Sequence, residues 1–356
     1  MSDIVAIQYQ DKKRDNVVRV EWMLSKKCNF NCSYCTEYVH NKTDGFPSLE
    51  VMNSTIDRLC EKTNKEIHLA ITGGEPVLCK HLIEFVKHAK SKQQVTHIAI
   101  TTNGSRSANY YRKLVEYVDH ITFSYHFEYG KVERVPDNIK DLAQTHLDKI
   151  AVHMMMLPTV LDEAKELIED LRSHNIAVSV RRIRPAFHKG DLEKGITRWT
   201  KPFEDTVATY VFLEYDQETG KGKVDWAQDK GYYSDVEEEY LAQVPVSFKH
   251  DSIAYYHSED AIKIMTKNKN EVLMDKENFF EGWLCWSGVT SLKILDNGDV
   301  YNASCRVKQF GSIYTDFELG TAPLECTKQA CVCAADIPIT KIKNRLFSNV
   351  VRLKDD

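Results

Sequence analysis

Residues 17–35, VVRVEWMLSKKCNFNCSYC, carry a strand pattern that runs directly into three closely spaced cysteines. Alternating and β-branched residues over 17–24 predict the strand. Cys28, Cys32 and Cys35 follow with the spacing CxxxCxxC. Three thiolates on one loop can hold a metal site and leave one coordination position open.

The same strand pattern recurs downstream in alternation with amphipathic helices. Each unit takes about 25 to 30 residues, the size of a βα repeat, which predicts a parallel sheet with right-handed crossovers. Both faces of such a sheet are expected to be covered. The expected strands are 17–24, 67–72, 97–102, 120–126, 151–157 and 177–183, and the helices 49–60, 81–90, 108–118, 138–149 and 161–173.

Unusual residues stand where these strands end. Gly73-Gly74-Glu75-Pro76 follows the second strand, Thr102-Asn103-Gly104 the third, and Ser124-Tyr125-His126 ends the fourth. Because functional residues of parallel α/β folds lie at the carboxyl ends of strands, these stretches and the cysteine loop should share one mouth.

Composition narrows the class of protein. The 356 residues are 42% hydrophobic with a net charge of −5, which indicates a globular chain and gives no support to nucleic-acid binding. No apolar run is long enough for a membrane span, and the first residues do not resemble a signal peptide, so a cytoplasmic location is expected. The 10 cysteines are then available as metal ligands rather than disulfides.

The first cysteine cluster could hold either of two kinds of metal centre. Zinc would need a fourth ligand, for which His40 is the strained candidate. The alternative is a [4Fe–4S] cluster with three irons held by thiolate and the fourth free. With an aromatic residue, Tyr34, before the third cysteine, the motif resembles that of the radical S-adenosylmethionine (SAM) superfamily.

This resemblance implies a partial (β/α)6 TIM-like barrel and reductive cleavage of SAM to a 5′-deoxyadenosyl radical. The cofactor-binding residues that the resemblance implies are Tyr34, Gly73, Gly74, Glu75, Pro76, Asn103, Ser124 and Arg182. In the family's GGEP motif, backbone and carboxylate hold the ammonium of SAM. A flavodoxin or ferredoxin is implied as the reductant.

Three residues are candidates for a catalytic role. His126 and Glu128 at the mouth could bind substrate or act as acid and base. Cys79 could donate a hydrogen atom in an epimerisation, or be a buried thiol. Cys60 and Met154–Met156 are expected to belong to the core.

The last quarter of the chain holds five more cysteines, and a hairpin over 291–301 with an Asn-Gly turn separates the first two. This arrangement resembles the SPASM and shorter twitch extensions of the superfamily, which implies one auxiliary [4Fe–4S] cluster in an α+β extension. Zinc stays open as an alternative. The candidate ligands are Cys285, Cys305, Cys326, Cys331 and Cys333.

We therefore expect four regions: an N-terminal segment 1–16, a radical SAM core 17–185, a variable region 186–280 with hairpins near 220–222 and 268–270, and an auxiliary-cluster region 281–356. The favoured substrate is a sugar, nucleoside or aminocyclitol that is oxidised or epimerised. Crosslinking or epimerisation of a ribosomal peptide is the alternative, and a non-catalytic metal-binding module the remote one.

Overall fold

The chain was analysed as a computed structural model. It describes residues 3–32, 35, 40–130, 134–156, 160–182, 213–215, 222–224, 252–258, 261–267, 269, 272, 275, 277–331, 333 and 335–351. Tyr34 and most of the region 186–280 lie outside these ranges. No helix in the described part of the chain is long and apolar enough to cross a bilayer.

The described residues include five α-helices, seventeen strands and four short 3₁₀ helices. The helices are α1 Leu49–Lys62, α2 Leu82–Lys90, α3 Ala108–Leu114, α4 Val135–His146 and α5 Leu161–Ser173. The strands are β1 Asp3–Tyr9, β2 Val17–Met23, β3 Glu66–Thr72, β4 Val95–Thr102, β5 His120–His126, β6 Ile150–Met156, β7 Ala177–Arg182, β8 Leu213–Tyr215, β9 Gly222–Val224, β10 Ser252–His257, β11 Ile262–Lys267, β12 Leu284–Cys285, β13 Ser291–Ile294, β14 Asp299–Tyr301, β15 Gln309–Ser312, β16 Leu324–Glu325 and β17 Lys341–Ile342.

Strands β2 to β7 are parallel neighbours in chain order, with α1 to α5 between them. This confirms the partial (β/α)6 TIM-like barrel expected from the sequence. Helix α1 begins as predicted, because the hydroxyl of Ser48 accepts the backbone N–H of Val51 at 3.2 Å. Met52, Ile56 and Leu59 form its buried face.

The two faces of the barrel sheet differ in polarity, which corrects the expectation of apolar cover on both. Outward residues of β3 and β4 such as Leu69 and Ile98 are fully buried in the main core. Several inward positions are polar and only partly buried, among them His68 on β3, which pairs in register with His97 on β4. Their rings lie 5.3 Å apart. The strands therefore alternate, and a polar lumen lies on the inner face.

A second, antiparallel sheet brings together distant parts of the chain. Its strand order is β11-β10-β1-β17-β12-β16. Strand β1 lies between β10 and β17, with Ile7 opposite Ala254 on one side and Lys341 on the other. Strands from the expected regions 1–16, 186–280 and 281–356 thus share one sheet.

The predicted hairpin of the last quarter is present as β13 and β14, with Gly298 in its turn at φ +87°. Strand β13 also pairs in parallel with β2, so this hairpin extends the barrel sheet. Strands β8 and β9 form the hairpin expected near 220–222. The hairpin expected at 268–270 falls largely outside the described residues, and β10 pairs with β11 just before it.

Substitution of Ile7 tests how much the central strand β1 contributes to the stability of the fold. Its side chain is fully buried with Phe280, Trp283 and Ile337, so Ile7→Ala should lower the free energy of unfolding by about 2 to 5 kcal/mol. Anaerobic denaturant titration measures the loss. Ile264→Ala on β11, where the side chain is 62% exposed, is the matched control and should change stability by less than about 0.5 kcal/mol. Equal effects would contradict a buried role for β1.

Candidate functional site

The cysteine loop leaves the carboxyl end of β2 and is closed at its base by backbone hydrogen bonds. The N–H of Cys28 donates to the carbonyl of Asn41 at 2.9 Å, and the N–H of Asn41 donates to Lys26 at 2.7 Å. Further along, the N–H of Cys35 donates to Cys32 at 3.0 Å. Backbone hydrogen bonds therefore fix the base of the loop at Cys28 and Asn41.

Two glycines let the loop after β3 approach the cysteine loop closely. A Cβ on Gly73 would lie 2.4 Å from the carbonyl oxygen of Ser25, and one on Gly74 would lie 2.4 Å from that of Lys26. Gly73 also has φ +139°, a conformation that side chains disfavour. The N–H of Gly74 donates to Ser25 at 2.7 Å. Both positions therefore need glycine.

Glu75 is a buried carboxylate whose oxygens are held by the chain itself. It accepts hydrogen bonds from the N–H of Val77 at 3.0 Å, the hydroxyl of Thr102 at 2.8 Å and the N–H of Asn103 at 2.5 Å. Burial raises its pKa to about 7, against these three donors. Glu75 thus ties the end of β3 to the end of β4, while Pro76 starts a buried turn.

Asn103 and His126 reach the cysteines from the next two strand ends. The Asn103 amide donates to Asn29 Oδ1 at 3.0 Å and lies 3.9 Å from Cys28 Sγ. His126 Nδ1 lies 3.5 Å from Cys32 Sγ, and burial lowers the pKa of this imidazole to about 4. At that pKa the ring is neutral near pH 7.

These residues enclose one cavity of about 150 Å³. Its walls are Cys28, Phe30, Cys32, Cys35, His40, Thr72, Gly73, Gly74, Glu75, Thr101, Thr102, Asn103, Ser124 and His126. The single mouth expected from the strand ends is therefore formed by β2, β3, β4 and β5.

The donor set of this cavity suits an iron–sulfur cluster. Burial raises the pKa of the Cys28 thiol to about 11, so its thiolate needs a cation, which a metal centre provides. Among the described residues, no three His, Cys, Asp or Glu side chains converge as ligands of one ion. In a [4Fe–4S] cluster each thiolate binds its own iron, so three thiolates would leave the fourth iron free.

Two of the sequence candidates, Cys79 and Glu128, do not line this cavity, and two others cannot be placed relative to it. Cys79 is 2% exposed and belongs to the main hydrophobic core. Glu128 is exposed and does not line the cavity. Arg182 ends β7, and its side chain is outside the described part of the structure, as is Tyr34.

Five residues of the cavity wall were not predicted as binding residues: Phe30, His40, Thr72, Thr101 and Thr102. Thr102 holds Glu75 through its hydroxyl, and its place at the end of β4 was the signal that could have identified it. His40 was considered only as a zinc ligand. It is 5% exposed, and its Nδ1 has no hydrogen-bond partner among the described residues.

The C-terminal cysteines form a second group. Four of the five, Cys285, Cys305, Cys326 and Cys331, line one narrow cavity of about 20 Å³ together with Asp336 and Lys341, and Cys333 is not part of its wall. Burial raises the pKa of the Cys331 thiol to about 12 and also raises those of Cys305 and Cys326. Four thiols at one cavity are a donor set that suits an iron–sulfur cluster.

Comparisons with known proteins agree with the first site. The family model of the Radical SAM superfamily matches residues 22–183. A probable GTP 3′,8-cyclase of Archaeoglobus fulgidus is 27% identical over 174 residues, 45% of this chain and 56% of that protein. The GTP 3′,8-cyclase of Agrobacterium fabrum is 23% identical over 219 residues, 55% of this chain and 61% of that protein. The chain thus spans a little over half the length of these relatives.

A solved structure shares the fold. The crystal structure of Streptococcus suis SuiB bound to S-adenosylmethionine aligns with a TM-score of 0.50 at 14% identity, covering 85% of this chain and 64% of that one. The matched residues 22–183 include the cysteine loop and the glycine turn that wall the first cavity. Residues 22–183 therefore form a Radical SAM domain, and this domain implies a [4Fe–4S] cluster and S-adenosylmethionine as cofactors.

Proposed function

We propose that this radical SAM enzyme abstracts a hydrogen atom from a small polar molecule, a sugar, nucleoside or aminocyclitol, and oxidises or epimerises it. When bound, the cluster and SAM supply a 5′-deoxyadenosyl radical after transfer of one electron. The observation that carries the proposal is the junction of the three-thiol cavity with a polar barrel lumen. A lumen lined by imidazoles and hydroxyls can hydrogen-bond a hydroxylated or aminated substrate.

The chain's own residues would divide the work as follows. Cys28, Cys32 and Cys35 hold three irons, which leaves the fourth for SAM. The backbone of Gly73 and Gly74 offers a wall without side chains, so a ligand can approach it closely. Because three donors already hold the Glu75 carboxylate, its first effect is to position that wall.

The polar groups at the mouth suit the remaining parts of SAM. Ser124 and Asn103 face the same cavity and can hydrogen-bond a ribose or carboxylate. His126, neutral beside Cys32, is the candidate that would touch substrate or take up a proton. Arg182 is proposed as a further contact to the cofactor carboxylate.

The second cysteine group supports an auxiliary cluster. We assign Cys285, Cys305, Cys326 and Cys331 as its four ligands and Cys333 as the spare, because only the first four share a cavity. In an oxidation, the substrate radical would lose one electron to this centre and a proton to solvent. A flavodoxin or ferredoxin would reduce the first cluster, and the need for reduced thiols favours a cytoplasmic location.

The curated relatives favour a small substrate over a peptide. Their name, GTP 3′,8-cyclase, says that these relatives act on a nucleotide. Of the three small-molecule classes, we therefore favour a nucleoside-like substrate. A substrate screen that finds modification of a peptide instead would support the alternative function. Deuterium transfer from a labelled candidate into 5′-deoxyadenosine would identify the substrate.

The first test measures cofactor cleavage. Reduced anaerobically, the reconstituted enzyme should release 5′-deoxyadenosine from SAM, and Cys32→Ala should abolish this release because one iron loses its ligand. Chromatography of the products measures it. Cys60→Ala, at a half-buried cysteine on α1 outside the cavity, is the matched control and should retain activity. Undiminished release by the Cys32 variant would refute the assignment.

The second test concerns the glycine wall. Gly74→Ala would place a Cβ 2.4 Å from the Lys26 carbonyl oxygen, so the two loops must separate, and SAM affinity should fall at least about tenfold. Equilibrium binding to the anaerobic protein measures the change. At Gly45 a Cβ meets nothing within 4 Å, so Gly45→Ala should bind SAM normally. Equal affinities of the two variants would show that close approach is not required.

A further inference from the structure

Lys341 places a buried ammonium at the wall of the four-thiol cavity. The residue is 2% exposed, and on β17 it pairs in register with Cys285 of β12. Its Nζ donates to the carbonyls of Asp336 at 2.6 Å, Ile337 at 3.0 Å and Ile339 at 2.9 Å. Three hydrogen bonds therefore fix the position of the charge.

Among the described residues, no acidic side chain forms an ion pair with this ammonium. Within the described part of the chain, no carboxylate oxygen lies within the 4.0 Å of an ion pair with Lys341. The carbonyls satisfy its N–H groups but carry no net charge, and a buried ion without an opposite charge is strongly unfavourable. Its other neighbour is the ring of Phe280, 5.1 Å from Nζ.

Asp336 is a poor counter-ion for the same charge. Its side chain is 4% exposed, and Oδ2 has no hydrogen-bond partner among the described residues. Burial raises the pKa of this carboxyl, which favours its neutral form. The four thiols of the same cavity are the other groups that can supply a negative charge.

The thiols can supply that charge. Cys285 and Cys331, when ionised, raise the pKa of Lys341 against the opposing effect of burial, and Asp336 and Tyr9 contribute less. Four thiolates around an iron–sulfur core form an anionic centre. Such a centre and the fixed ammonium would stabilise each other.

We propose that Lys341 is the counter-charge of the auxiliary centre and that its ammonium raises the reduction potential of that centre. The inference rests on the proposed function, because the four thiols must hold a cluster. Reduction adds one electron to a centre that is already negative, and a fixed positive charge stabilises the reduced state more than the oxidised state. Lys341 acts through the centre and touches no substrate.

The experiment isolates the auxiliary centre. In a parent protein with Cys28→Ala, Cys32→Ala and Cys35→Ala, iron and sulfide are quantified and the remaining centre is titrated with dithionite by electron paramagnetic resonance. Adding Lys341→Met should leave the iron content unchanged and lower the reduced-to-oxidised ratio at the parent midpoint about tenfold, which is 59 mV for a one-electron couple. Lys267→Met removes another buried lysine of the same sheet, paired with Asp275 and Glu277, and should not move the midpoint.

The outcomes separate the inference from the proposed function. A fully loaded Lys341→Met protein with the parent midpoint overturns the role of Lys341 alone, whereas a parent that binds no iron overturns the auxiliary cluster and this inference with it. If the Lys341→Met protein loses its cluster, the variants Lys341→Arg and Lys341→Gln test whether the charge at this position is what the centre needs. If arginine alone restores the iron content and the midpoint potential, the role of Lys341 as a counter-charge is supported. If glutamine restores both equally well, that role is overturned.

Discussion

Two backbone hydrogen bonds join the loops on which the first site depends. The N–H groups of Gly74 and Glu75 donate to the carbonyls of Ser25 and Lys27 at 2.7 and 2.8 Å. They fix the loop after β3 against the base of the cysteine loop, so the thiols and the glycine wall keep one relative position. Backbone bonds of this length exist only because neither glycine carries a Cβ.

Glu75 extends the same constraint to the next strand. Its carboxylate accepts from Thr102 and Asn103, and the Thr102 hydroxyl lies 3.2 Å from the hydroxyl of Tyr111 on α3. An acid so deeply buried is tolerated because three donors satisfy it, even though its pKa rises to about 7. The site therefore rests on a connected set of strand ends rather than on separate residues.

The sequence predicted those parts of the molecule that depend on local signals. The strand period, the N-cap at Ser48 and the spacing of the three cysteines each depend on a few neighbouring residues. The structure has the predicted strands and N-cap, and Cys28, Cys32 and Cys35 line one cavity. The second sheet was not predicted, because β1 pairs with strands some 250 to 340 residues away and its sequence does not encode that register. Polarity inside the barrel was also misjudged, since an inward His68 and an outward Leu69 give the same alternation as any half-buried strand.

Lys341 shows why long-range pairing decides the chemistry of the second site. A lysine near the carboxyl end of a chain gives no signal of burial, since most lysines are exposed. Pairing of β17 with β1 on one side and with β12 on the other sets Lys341 opposite both Ile7 and Cys285. The strand that precedes the barrel thus holds in place the strand that carries the cation, and the register of β12 sets a cysteine beside it. Since neither the charge nor the thiol can move without disturbing this sheet, the electrostatic environment of the four-thiol cavity is a property of the fold.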